Sequence, residues 1–344
     1  MDRLRWGIIG TGAIASDFAK ALKGSDKCVV VNAVGSSLAK SDVFAEAFGL
    51  AHSSASIDAL LGDDGVDAVY IATPHPMHEQ QALAAIDAGK AVLCEKPITV
   101  DAAGAERVIG AARDTGVFLM EAYMYRCHPL IAEVLEKLEA GVIGEVRHVR
   151  ADFGFYMPRQ PEHRLFSPAL AGGGILDVGG YPASFARLIA GVVNGTPFDE
   201  PTDLQATGTI GPTGVDELAV AQLRFATGMT AQLTCAVHHD VGTGAWVFGD
   251  GGVLHLPDPW IPQSDRHGLT TGYTVTRNGR PPESYTVSTD RAVYAIEAHT
   301  AADAIRDGAL QVPRPGMSWD DTLGNMRLLD AWRNQVGVEV ATQA

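Results

Sequence analysis

The chain has 344 residues, 46% of them hydrophobic and 19% charged, a composition that excludes a disordered chain and a length that argues for two domains. Its formal charge of −15, with no basic tract interleaved with aromatic residues, excludes non-specific attachment to nucleic acid or to an anionic membrane surface. No apolar run reaches the roughly 18 residues of a membrane span, and "MDRLRWGIIG" enters a strand pattern without a signal segment, so a cytoplasmic setting is expected.

Over the first 120 or so residues, two textures alternate. The runs "LRWGII", "CVVVNAV", "DAVYIAT", "AVLCE" and "VFLME" are almost continuously apolar, as strands buried on both faces are. Between them lie "AIASDFAKALK", "AKSDVFAEAFG", "MHEQQALAAIDAG" and "DAAGAERVIGAARDTG", with helical spacing and a closing Gly. Strand and helix in alternation give an α/β fold, a doubly wound parallel Rossmann sheet, expected over residues 1–123. After "LIAEVLEKLEAG" the strand runs lengthen and alternate: "EVRHVRADFGFYM", "ELAVAQLRF", "MTAQLTCAV", "AWVFG", "GYTVTR" and "ESYTVS". Hairpin signals at 226–228, 250–252 and 277–280 join several of them. Residues 124–344 are therefore expected to form an α+β domain with a large, mainly antiparallel open sheet. Its late helices, "AIEAHTAADAIRDG" and "DDTLGNMRLLDAWRNQVG", are free to pack back on the first domain. Cysteines 28, 94, 127 and 235 form no CxxC, which suits a reduced compartment.

The first strand runs into "GTGAIA", residues 10–15, which opens a helix. In that context Gly10 allows a tight turn, Gly12 lets a pyrophosphate approach, and the first helical N–H groups, from Ala13 and Ile14, meet its charge. The end of the second strand reads "VGSSLAKS", with no acid to hold ribose hydroxyls and repel a 2′-phosphate. Ser36, Ser37 and Lys40 are donors suited to that phosphate, so NADP is favoured over NAD; alternatively Ser37 is only a helix N-cap.

"CEKP" follows the fourth strand, and ligands of open parallel sheets sit at the carboxyl ends of strands, where Glu95 and Lys96 emerge. A lysine there is commonly a solvated surface residue, although Pro97 biases Lys96 away from helix. In "GGGILDVGGYP", Asp177 and Tyr181 stand four apart and face one way if the segment coils. They are either a catalytic pair or a capping acid and a core tyrosine. The glycines before them, Gly172 to Gly174, suit a close pass of the chain by a cofactor or substrate.

Together with "ATPHPMHEQQALAAIDAGKAVLCEKP" and "EAYMYRCHP", these segments resemble the glucose–fructose oxidoreductase and inositol dehydrogenase family, Gfo/Idh/MocA, over nearly the full chain. The resemblance implies an NAD(P)-dependent oxidoreductase acting on a sugar or polyol hydroxyl, without metal. It also implies a homodimer or homotetramer assembled through the second domain's sheet, and a commonly cis Lys96–Pro97 bond. It assigns catalysis to Lys96, Asp177 and Tyr181; the tyrosine resembles the branch of dihydrodiol, xylose and glucose dehydrogenases. A phenol with a reference pKa near 10 needs a neighbouring cation to accept a proton at neutral pH, and Lys96 is the candidate. The rivals are a ketosugar or dicarbonyl reductase, a trans-dihydrodiol dehydrogenase, and a non-catalytic dinucleotide-binding regulator.

Thr73, Pro74, His75 and His78 are placed by the same resemblance along the cofactor, although each histidine equally suits a helix cap or solvent. Glu121 either contacts the cofactor or holds the loop. Tyr125, Arg126 and His128 fall at the join of the domains, where Arg126 binds substrate oxygens or makes an interdomain ion pair. In "FGFYMPRQPEHRLFSP", Phe155, Tyr156, Arg159 and Arg164 are candidate walls of a carbohydrate pocket, or else core. His238-His239 has no third ligand at metal-binding spacing and reads as a strand end.

Overall fold

The computed structural model describes residues 3–262 and 270–338. The outermost positions of the expected domain bounds, 1–2 and 339–344, lie outside the described residues. Two compact units share the chain: Met1–Thr99, Ala103–Cys127 and Arg291–Thr322 make one, and Val100–Ala102, His128–Asp290 and Leu323–Ala344 the other.

The first unit runs β1 (Leu4–Ile9), α1 (Ala13–Ala21), β2 (Cys28–Val34), α2 (Leu38–Phe48), α3 (Ile57–Leu61), β3 (Ala68–Ile71), α4 (His78–Asp87), β4 (Ala91–Glu95), α5 (Ala102–Thr115) and β5 (Leu119–Ala122). The strands form one parallel sheet in the order β2-β1-β3-β4-β5. Every residue of β3, β4 and β5 is buried, as their unbroken apolar runs require. Strand order reverses between β1 and β3, and the carboxyl ends of these two strands flank the crevice where such sheets take ligands.

The second unit begins with α6 (Pro129–Glu139) and β6 (Val146–Gly154), and continues through α7 (Gly180–Asn194) to β7 (Pro201–Ile210), β8 (Asp216–Phe225), β9 (Thr230–Ala236), β10 (Thr243–Gly249), β11 (Gly252–Leu256), β12 (Thr270–Arg277) and β13 (Glu283–Ser288). These strands form one sheet, β13-β12-β11-β10-β6-β9-β8-β7, antiparallel except where β6 runs parallel to β9. The turns at 226–228, 250–252 and 277–280 each join neighbouring antiparallel strands, with Gly228 and Gly279 at φ 86° and 74°. One face buries Val149, Ala151, Leu233, Ala245 and Val247; Arg150, Gln232 and Trp246 alternate onto the other.

Two helices close the chain, α8 (Val293–Arg306) and α9 (Trp319–Val336). The segment 291–322, which follows the second sheet in sequence, belongs to the first compact unit, where α8 packs on α1 and β2. Glu297 of α8 is wholly buried there, with no hydrogen-bond partner for either carboxyl oxygen. Burial, with the charge of Glu95 adding to it, pushes the Glu297 pKa well above the carboxylate range. The stability carried by its bound proton is therefore complete below the ordinary carboxylate pKa and is lost as pH rises toward the folded value. Glu297→Gln cannot ionise, so its melting temperature should gain on the wild type between about pH 5 and about pH 8. A difference in melting temperature that stays constant across that range would rule out this origin.

Candidate active site

The phosphate loop fits a dinucleotide. Gly10 has φ 106°, and a Cβ there would lie 2.6 Å from the carbonyl oxygen of Ala72. Only glycine lets β1 turn so close to the end of β3. Gly12 is the N-cap of α1 and offers no side chain to its free N–H groups, and a Cβ at Gly12 would meet nothing within 4 Å. The N-terminus of α1 is the positive end of a helix with no acid in its first turn, an environment that favours an anion.

At the end of β2, Ser36, Ser37 and Lys40 are exposed, and Lys40 Nζ donates to Ser36 Oγ at 3.0 Å. Ser37 caps α2 by accepting the Lys40 N–H, so the capping alternative describes Ser37, while Ser36 and the Lys40 ammonium remain presented together.

The loops after β3 and β4 are tied to each other from within the protein. Lys96–Pro97 is cis, as the resemblance implied. His78, expected along the cofactor, is completely buried: Nδ1 lies 2.8 Å from the Pro97 carbonyl and Nε2 2.8 Å from the Thr73 carbonyl. Burial holds its pKa below the usual imidazole value. A neutral imidazole has one N–H, so His78 donates to one of the two carbonyls while its other nitrogen faces the second, between the Thr73 and Pro97 loops. Glu121 Oε1 accepts the Ile98 N–H at 2.9 Å, the loop-holding alternative, and Glu95 accepts the Tyr70 hydroxyl inside the core. Thr73 donates to Gln81 at 2.6 Å, while Pro74 opens a short 3-10 turn that contains buried His75. Lys96 itself is half-buried.

Arg126 is held by protein partners of its own unit. The guanidinium is buried, paired with Asp321 at 2.7 Å and bonded through Nε to the Pro315 carbonyl at 2.6 Å, all within the first unit. Burial opposes its charge, yet Asp321 more than compensates and raises its pKa. It is a fastening inside the first unit. Tyr125 beside it is buried edge-on to Tyr123. His128, at the start of the second unit, caps α6 by accepting the Leu130 N–H.

In the second unit the segment Ile175–Gly179 is a π turn running directly into α7, a distortion frequent at functional sites. The π turn carries Asp177 and the first turn of α7 carries Tyr181, 5% and 4% exposed. Arg164 pairs with Asp177 Oδ1 at 2.8 Å, so the acid already has a cation of its own unit, one that is half-exposed at its other end. The Tyr181 ring meets Phe153 edge-on at 5.2 Å and Trp260 at 6.2 Å, and Trp260 Nε1 is anchored on the Asp152 carbonyl at 2.8 Å. Phe153 and Trp260 therefore fix the phenol, and neither stood out in the sequence: Phe153 sits within a strand run, near the end of β6, and Trp260 is isolated more than 70 residues from Tyr181.

Phe155 is half-buried and Tyr156 exposed. Arg159 is bound by Glu217 at 2.6 Å, and His238 Nδ1 lies 2.7 Å from the Met157 carbonyl. The glycines before the turn accommodate the protein's own chain: a Cβ on Gly172 would lie 2.6 Å from the Arg164 carbonyl oxygen, and one on Gly173 would collide with Asp216. Among the described residues no helix is long and apolar enough to cross a membrane.

Comparison with known proteins adds an independent line. Residues 4–123 match the model of the oxidoreductase family with an NAD-binding Rossmann fold, and residues 131–255 match the GFO/IDH/MocA C-terminal domain. The trans-1,2-dihydrobenzene-1,2-diol dehydrogenase of Danio rerio is 33% identical over 339 residues, 97% of each chain. That of Mus musculus is 36% identical over 261 residues, 75% of this chain and 76% of its own. The 3-ketoreductase KijD10 of Actinomadura kijaniata, solved with NADP and TDP-benzene, has a TM-score of 0.83 at 29% identity, covering 97% of this chain and 98% of its own.

Proposed function

The chain belongs to the Gfo/Idh/MocA family of NAD(P)-dependent oxidoreductases, and from that premise we propose that it interconverts a ring hydroxyl and a carbonyl on a sugar, a polyol or a trans-dihydrodiol, with NADP as the preferred cofactor. The bound dinucleotide supplies the hydride acceptor or donor. Gly10, Gly12, Ala13 and Ile14 hold its pyrophosphate, and Ser36 with Lys40 holds the 2′-phosphate. Tyr181 takes the hydroxyl proton during oxidation and returns it during reduction. Lys96 is the cation that brings the phenol into a usable range, and Asp177, steadied by Arg164, accepts a hydrogen bond from a neighbouring substrate hydroxyl.

The observation carrying this reading is the Asp177–Tyr181 pair: two nearly buried polar groups one turn apart, with Arg164 on the acid and aromatic rings around the phenol. A pyranose and a trans-dihydrodiol present the same pattern to such a pair, a six-membered ring whose reacting secondary hydroxyl is flanked by another. The dihydrodiol alternative gains weight from the names of the relatives, and the reducing direction from the name of the 3-ketoreductase. The open face of the eight-stranded sheet, with Arg150 stacked over Trp246 and Trp246 over His255, is the proposed homo-oligomer surface; light scattering of the purified chain decides it.

Aldoses, inositols, anhydrosugars, trans-dihydrodiols and their ketones, each assayed with NAD and NADP, test the function. Turnover is expected on at least one ring-hydroxyl class with NADP. Cofactor binding without turnover on any of them would instead describe a dinucleotide-binding regulator. Lys40→Ala should weaken NADP about tenfold and leave NAD unchanged, the loss of one charge-assisted contact. An unchanged preference would place the phosphate elsewhere.

A further inference from the structure

We propose that Asp216 is a positioning residue that fixes the π turn that bears Asp177 and leads directly into Tyr181. The proposal rests on the reading of those two residues as catalytic groups. Asp216 is the first residue of β8, 39 positions from Asp177 in sequence, and is 1% exposed. Its Oδ2 accepts the Ile175 N–H at 2.7 Å, and the Gly174 N–H also bonds to its carboxylate. Gly173, at φ 110°, packs so closely on Oδ1 that a Cβ there would collide with it. The carboxylate thus meets three consecutive residues at the entry of the π turn, the last of them, Ile175, two positions ahead of Asp177 and six ahead of Tyr181.

The chemistry of the grip depends on charge. N–H groups at the start of a helical segment favour an anion, and hydrogen bonds to an ionised carboxylate are the stronger kind. Opposing this, burial is the largest influence on Asp216. The surrounding charged and titratable groups are Arg333 of α9, which favours the anion, the Cys235 thiol of β9, and Asp177 with its Arg164 partner. Oδ1 has no hydrogen-bond partner to reward ionisation. Burial outweighs the N–H hydrogen bonds and Arg333 and pushes the Asp216 pKa up to about 7. The ionised form holds the turn above that pH; the protonated form accepts the Ile175 N–H more weakly, and Tyr181 is held less firmly below it.

The test is steady-state kinetics from about pH 5.5 to about pH 9 on wild type, D216N, Y181F and the double variant, with NADP affinity followed by cofactor fluorescence. D216N is expected to lose about 10-fold to 100-fold in kcat through misplacement of the reacting groups, with NADP affinity held. The wild-type kcat should inflect near pH 7 and the D216N profile should lack that step. Because Asp216 acts through Tyr181, the double variant should be no slower than Y181F alone, within about threefold. Multiplying losses in the double variant, or superimposable pH profiles, would overturn the proposal. If D216N does not fold, the wild-type profile alone decides, and a kcat with no step near pH 7 overturns it. Unchanged turnover in Y181F removes the catalytic reading itself, a result separate from the Asp216 arms.

Discussion

Replacing Tyr181 by phenylalanine should lower kcat by about 10²-fold to 10⁴-fold, the usual loss when a positioned acid or base is removed, and should leave NADP affinity within about twofold. The two halves of this expectation have different structural grounds. Tyr181 lies between Phe153 and Trp260, and these contacts are made by the ring, not the hydroxyl. Phenylalanine therefore keeps the packing of α7 and its π turn, and loses one oxygen from a nearly buried place. The pyrophosphate loop belongs to the other compact unit and is untouched by the change. If the hydroxyl carries the substrate proton, the loss falls on kcat and on kcat/KM alike, the signature of a group needed in the transition state. A loss confined to KM would make Tyr181 a substrate ligand only, and an unchanged kcat would remove it from the reaction.

The sequence displayed the parts of this molecule that follow local rules. The five parallel strands were legible because burial on both faces leaves unbroken apolar runs such as "AVLCE", and the glycine loop because its spacing is dictated by a turn and a helix start. β7 was not legible: "PTDLQATGTI" is a largely exposed edge strand and lacks the apolar alternation of its neighbours. The helix α7 left no amphipathic stripe, since Gly180 through Gly191 are all buried, Arg187 among them, and burial is not confined to one face. Its coiling entered only as a condition on the four-residue spacing of Asp177 and Tyr181.

For the site, the divide is between residue type and residue partner. Lys96, Asp177 and Tyr181 stand out by type and context, and the family resemblance named them. The partner of each buried polar group is set by tertiary contact, which spacing does not encode. Asp177 finds Arg164, Tyr181 finds Trp260, the Ile175 N–H finds Asp216, and His78 bridges two loops at once. Residues of the right type near the right motif, His78 and Arg126 above all, were drawn toward the ligand in the sequence reading because a ligand was the nearest visible partner. The fold gives them protein partners, and burial explains why: an imidazole or guanidinium excluded from water must have its donors satisfied by carbonyls or carboxylates.

Arg126 makes the largest stability prediction. Its side chain and that of Asp321 are 1% and 2% exposed, so neither charge has water to fall back on. Asp321→Ala should destabilise the protein by about 3–5 kcal/mol, the range for leaving one member of a buried pair unpaired. Asp321→Asn, which keeps an acceptor but no charge, should fall between wild type and Ala. Denaturant unfolding measured on all three variants checks the order, and an Asp321→Ala loss below about 1 kcal/mol, the scale of an exposed pair, would show that water reaches the guanidinium after all. The position of the pair says what its loss does first. Arg126 follows β5, while Pro315 and Asp321 lie in the stretch 291–322 that returns to the first unit after the second sheet is complete. Trp319 of the same stretch donates to the Leu119 carbonyl, and the Leu119 N–H bonds to the Leu310 carbonyl, so the start of β5 is bound to this returning segment. Loosening Asp321 should therefore raise hydrogen exchange at Leu119 and along 310–322 before it does so at the glycine loop, a local opening in the sense that such units unfold separately from the core. Exchange rising first at Gly10–Ala15 would instead mean that the pair stabilises the dinucleotide loop directly.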